Sequence, residues 1–163
     1  MIEKDIEKAV LDAIAALNLS GLSIGGFWQS VDAGIVKDLE RNDLTATLRV
    51  IAKPRRYDGF TSPKCEIAVA LGLAVLVDRA PDGAALATIT NPILNLLQTW
   101  QRDITAVKTA FTSTAFIPSG LRLDGGDASF DRAARVWSVP MGFTIRGVII
   151  ASSEEEETQG ATT

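Results

Sequence analysis

Val136-Trp137-Ser138-Val139-Pro140-Met141-Gly142-Phe143-Thr144-Ile145-Arg146-Gly147-Val148-Ile149-Ile150 reads as a long closing strand. Val139, Met141, Phe143, Ile145, Gly147 and Ile149 share one parity, and a period of two places side chains on one face of a strand. Just upstream, Leu121-Arg122-Leu123 reads as a second strand. Between the two, Asp124-Gly125-Gly126-Asp127 and the residues after it supply turn chemistry. Together they predict a C-terminal β-hairpin, with Trp137 buried against a helix.

Upstream, Asn91-Pro92 predicts a helix start, because Asn caps well and Pro at the first helical position loses no hydrogen bond. Ile93, Leu94, Leu96, Leu97 and Trp100 then give an apolar face to about Arg102. Ile104–Phe111 either continues this helix or begins a strand. Ala80-Pro81-Asp82-Gly83 reads as a turn. Before it, Cys65–Val77 is apolar on both parities, the pattern of a central strand covered on both faces or of a buried helix. Thr45–Lys53 alternates, with Ala46, Leu48, Val50 and Ala52 on one face, and Pro54 stops it. Pro54-Arg55-Arg56-Tyr57-Asp58-Gly59 is expected to be an exposed loop. Residues 22–43 are ambiguous, with Phe27-Trp28 expected to be buried and Asn42-Asp43 a turn.

Residues 2–17 place Ile2, Ile6, Val10, Ile14 and Leu17 on one helical face, leaving Glu3, Lys4, Glu7, Lys8 and Asp12 elsewhere on the circumference. Ser20-Gly21 ends this helix. The order is helix, two strands, helix, two strands. It predicts an α+β fold: a mostly antiparallel β-sheet packed with an N-terminal and a central α-helix, in a single domain over residues 1–150. Residues 151–163, with Glu154–Glu157 and a polar end, are expected to form a disordered acidic tail.

A chain of 163 residues with 47% apolar side chains can bury a core without a disulfide or structural metal. The one cysteine, Cys65, lies in an apolar run and reads as a small buried hydrophobe. No histidine is present, which removes most nucleophilic triads and most metal sites. There is no Walker loop, dinucleotide fingerprint or Cys-x-x-Cys pair. Net charge is −4 and the isoelectric point about 4.8, a poor balance for non-specific nucleic-acid binding. The start lacks signal-peptide order, and the longest apolar run is too short to span a bilayer. Synthesis in a reducing cytoplasm is expected. No catalytic residue, cofactor or metal is predicted.

Two charged clusters are candidates for subunit contact. Lys53, Arg55 and Arg56 form the compact basic one; as a nucleic-acid site it lacks accompanying aromatics. Asp124, Asp127 and Asp131 form the acidic one. Their loop suggests calcium, but lacks EF-hand spacing and the closing bidentate Glu.

The closing segment resembles a known family. Leu121-Arg122-Leu123, an Asp-rich turn and Arg135-Val136-Trp137-Ser138-Val139-Pro140-Met141-Gly142-Phe143-Thr144-Ile145 resemble the final hairpin of tail terminator proteins of long-tailed bacteriophages. The N-terminal helix, a strand ending at Pro54 and a helix bearing Trp100 follow the same order. The Ile67–Val77 segment and the acidic tail depart from the compact members. The resemblance implies a homohexameric ring on the last ring of the tail tube, ending polymerisation and joining head to tail. Its partners would be other copies of itself, the tail tube protein and the head–tail connector or neck proteins. DNA would pass through the ring without specific binding, and the location would be the virion. Closed rings use heterologous contacts, for which the Arg55-Arg56 loop and the Asp124–Asp131 turn are an oppositely charged candidate pair. The alternatives are an assembly chaperone or adaptor, another neck or tail-tube subunit, and a small carboxylate or metal-dependent enzyme.

Overall fold

Two long antiparallel strands, paired residue for residue from Lys64–Val148 to Leu76–Val136, form the spine of the molecule. The computed structural model describes residues 1–27, 46–59, 62–112 and 115–150. Its elements are α1 (Ile2–Ala15), β1 (Leu22–Gly26), β2 (Ala46–Ala52), β3 (Arg56–Tyr57), β4 (Lys64–Leu76), α2 (Gly83–Arg102), α3 (Ile104–Ala110), β5 (Phe116–Gly125), β6 (Ser129–Asp131) and β7 (Val136–Ile149). They build one sheet in the order β1-β2-β4-β7-β5, with β3 beside β4 and β6 beside β7. Every pairing is antiparallel except β1 with β2, so the fold is α+β with a mostly antiparallel sheet. The expected turn at Asn42-Asp43, Trp28 and the tail 151–163 lie outside the described residues.

The helices cover one face of this sheet. Ile6, Val10 and Ile14 of α1, Ile93, Leu97 and Trp100 of α2, and Val107 of α3 are buried with Leu48 and Val50 of β2, Ile67–Val75 at alternate positions of β4, and Phe143 and Ile145 of β7. Trp100 is the aromatic centre, 5.6 Å from the Phe111 ring and edge-on to Phe143 at 5.9 Å. That geometry suits aromatic quadrupoles and adds to the area buried.

β4 is central, as expected, but only one of its faces is deeply covered. Cys65, Ile67, Val69, Leu71, Leu73 and Val75 are buried, while Ala68, Ala70, Ala74 and Leu76 are half-buried and Gly72 is exposed. Its second parity is apolar because it is small, and alanine and glycine tolerate water at little cost.

The central helix starts at Gly83, nine residues before Pro92. Asp82 is its cap, its side chain accepting from the Ala85 N–H at 2.8 Å. Pro92 therefore lies inside α2, where its missing N–H leaves the Thr88 carbonyl without its helical donor. Thr88 is exposed, so water can serve that oxygen. Val77–Arg79 forms a short 3-10 turn ahead of this cap. Asp103 ends α2 and opens α3, accepting from the Thr105 N–H at 3.0 Å; Ile104–Ala110 is thus a separate helix and not a strand. At the other end, α1 stops at Ala15, before Ser20-Gly21, as the chain turns through Asn18 in the left-handed region at φ 52°.

The closing hairpin is longer than expected, and its turn lies elsewhere. β5 runs along β7 to the Gly125–Met141 pair, and β6 resumes at Ser129–Ser138. Three residues, 126–128, separate β5 from β6 opposite only two on β7, so Gly126-Asp127-Ala128 is a bulge in one edge and not the turn. The cause is Pro140. Its carbonyl accepts from the Gly126 N–H at 3.4 Å, so its nitrogen faces the same edge and has no proton to give. The true turn is Arg132-Ala133-Ala134-Arg135, with Asp131 Oδ1 accepting from the Ala133 and Ala134 N–H groups and Arg135 at φ 54°.

Trp137 is only half-buried. It packs on Phe130 at 5.2 Å, and its indole N–H donates to the Ala80 carbonyl at 2.9 Å, beside the entry to α2 and not beneath a helix. Phe27, expected inside, is 52% exposed.

Candidate subunit-contact site

The basic cluster is divided by the fold. Glu3 is 5% exposed on the first turn of α1, although the helical pattern places it off the apolar face. Arg55 reaches it with a two-pronged fork: Nε donates to Glu3 Oε1 at 2.8 Å and Nη2 to Oε2 at 3.1 Å, while the Arg55 backbone N–H donates at 3.2 Å. Burial pushes the Glu3 carboxyl up, but the Arg55 bonds and charge outweigh it and hold Glu3 below the ordinary carboxylate range. Arg55 is held above its usual value chiefly by its hydrogen bonds with Glu3. Glu7, one turn on, is fully buried against Gly26, and the Ala52 N–H lies 3.5 Å from its Oε2. A side chain at position 26 would collide with Glu7, so the glycine admits the carboxylate.

Arg55 is therefore held inward by Glu3; the rest of the Pro54–Gly59 stretch is exposed, as expected, but Arg56–Tyr57 within it pairs with β4 as β3. Lys53 and Arg56 are exposed and carry no ion pair among the described residues. Beside them Tyr57 is 52% exposed, yet its hydroxyl accepts from Arg55 Nη1 at 3.2 Å. The guanidinium lies 6.0 Å from the ring centroid, at the outer reach of a cation–π contact. Nearby, Arg146 binds Glu66 at 2.9 Å and reaches Asp58 at 3.9 Å.

The acidic cluster is divided as well. Asp124 accepts from Thr144 Oγ1 at 2.6 Å and from Arg122 Nε at 3.3 Å. Asp131 is occupied by its turn. Asp127, in the bulge, is exposed and unpaired among the described residues. The three acids thus take separate roles, and among the described residues no group of three metal-ligating side chains gathers. Under the bulge lies an open groove of about 350 Å³ between α2 and strands β5 and β7, lined by Leu94, Leu97, Leu123, Pro140 and Met141 and by the acids Asp124 and Asp127.

Pattern reading missed Glu3 as the partner of Arg55, Tyr57 as a fixed exposed ring, and this groove. Two signals were present: Glu3, Glu7 and Leu11 form an i, i+4 row flanking the apolar stripe, and a proline inside a strand marks a bulge. Cys65 is 2% exposed, and burial pushes its thiol up, against the pull of Arg55. Among the described residues no helix is long and apolar enough to cross a membrane. Compared with protein-family models and with curated proteins, the chain matches none.

Proposed function

We propose that the chain is a structural subunit of a long-tailed phage particle, assembling as a ring on the last ring of the tail tube. There it ends tube polymerisation and presents the surface on which the head or its connector docks. The observation that carries this reading is the closing arm: β7 with β5 and β6, 14 residues of strand against an interrupted edge. It is built from the same residues, Leu121–Leu123 and Arg135–Ile145, whose sequence resembles the tail terminators. The role needs no cofactor and no chemical step. It needs a rigid subunit with two different lateral surfaces, because a closed ring joins one patch to a different patch on its neighbour. The location that follows is the virion neck, and the ring number that the resemblance implies is six.

Electron microscopy of particles assembled without this protein tests the reading. Tails that are overlong and headless are expected. Headless tails of normal length would reject termination, and normal particles would reject any role in the neck.

A further inference from the structure

We propose that the Arg56–Tyr57 corner of one copy docks into the groove beneath the Asp127 bulge of the next copy. This contact rests on the ring reading above and gives it an interface. Four observations lead to it.

The first is position. β3 lies on the β2 side of β4, and the groove opens at the β5 edge, so the two features occupy opposite sides of one sheet. Opposite, non-identical surfaces are what a head-to-tail ring joins. The second is charge. Among the described residues, Lys53 and Arg56 carry no ion pair at one rim, where Arg55 is taken by Glu3, and Asp127 carries none at the other, where Asp124 and Asp131 are taken. Complementary free charges at two surfaces steer and orient association.

The third is preparation. Tyr57 is exposed but held by Arg55, which is itself fixed by Glu3. An aromatic ring that is already ordered loses little freedom on docking, and Tyr and Arg dominate the energetics of interface centres. The fourth is shape. The groove sets leucine, proline and methionine side chains beside the carboxylates of Asp124 and Asp127, and its volume of about 350 Å³ lies within the roughly 300–1,000 Å³ range of pockets that admit a ring-bearing group. Gly126 opens its wall, since a side chain there would press on Pro140 at 3.1 Å. A second copy satisfies all four conditions: ring inside, cation at the rim, opposite side, same chain.

Light scattering on wild type, Arg56→Glu, Asp127→Arg and the combined charge swap tests this contact, with and without tail tubes. All substituted side chains are exposed, and matching melting curves confirm that each variant folds. Each single reversal should weaken assembly by roughly tenfold or more, because it sets like charges face to face. The swap restores opposite charges at every interface and should recover most of the wild-type mass. As a second readout, Arg56→Cys with Asp127→Cys in one chain should give a ladder of oxidised multimers, absent from either single variant. Single reversals that leave a wild-type assembly intact, or a swap that stays dissociated, would overturn this contact while leaving the ring. A wild-type chain that is monomeric both alone and with tubes would instead sink the ring reading, and the contact with it.

Discussion

Glu3 and Arg55 lie 52 residues apart, yet a two-pronged ion pair joins them at 2.8 and 3.1 Å and ties the start of α1 to the link between β2 and β3. The side chains are 7% and 22% exposed, so the pair is mostly desolvated and neither partner can be removed cheaply. Arg55→Ala strands the Glu3 carboxylate and should cost about 2–4 kcal/mol in chemical denaturation, against near zero for Arg56→Ala on the surface. Equal stabilities of the two variants would contradict the placement of Arg55.

The same pair sets part of the acid limb of stability. Glu3 is held below its unfolded value, so in that window the unfolded state binds more protons. The pair contributes fully above the ordinary glutamate range, and that contribution is lost as pH falls through the lower, folded value. Glu3→Gln should be less stable near neutrality and should lose less stability than wild type on acidification. Denaturation midpoints from pH 7 down to pH 3 measure this difference.

The two described tryptophans should separate sharply. Trp100 is 3% exposed among Phe111 and Phe143, and Trp100→Ala should cost on the order of 3–5 kcal/mol. Trp137 is half-buried and anchored by one hydrogen bond, so Trp137→Ala should cost roughly 1–3 kcal/mol. Urea titration of both variants would show the order, and a reversed order would place the core at the wrong end of the sheet.

Two strand glycines give opposite expectations. A side chain on Gly147 would strike the Ile117 carbonyl and the Phe116 ring, so Gly147→Ala should destabilise by about 1–3 kcal/mol. Gly72 faces open space, and Gly72→Ala should be neutral or gain up to about 1 kcal/mol from reduced freedom of the unfolded chain. Thermal melts of the pair test which face of the sheet the helices cover.

Much of this architecture was legible in periodicity, and the misses have local causes. The alternation through Val139–Ile145 and the row Ile6, Val10, Ile14 both report a one-sided core, and both elements are where the pattern puts them. Asn91-Pro92 misled because a good helix opening in isolation can sit inside a helix that began earlier, at Asp82. Asp124–Asp127 looked like a turn because Asp and Gly serve bulges and turns alike; only pairing with β7 distinguishes them. Of the candidate contact residues, burial removed Arg55 and local hydrogen bonds occupied Asp124 and Asp131. No sequence period encodes a bond across 52 residues, so Glu3 could not be read as the partner.

The thiol of Cys65 provides a check on that burial. It is pushed up and shielded, so a thiol reagent at neutral pH should leave the folded chain unlabelled and label it fully in denaturant. Rapid labelling of the native chain would contradict the packing of the Cys65–Gly147 pair at the end of the spine.

The subunit proposed above closes a ring at the end of a tail tube. Imaging of purified tubes mixed with the purified chain tests this. A single ring of added density at one end of each tube, with further elongation blocked, is the predicted result. Density spread along the shaft, or bare tubes that keep growing beside a monomeric protein, would contradict it.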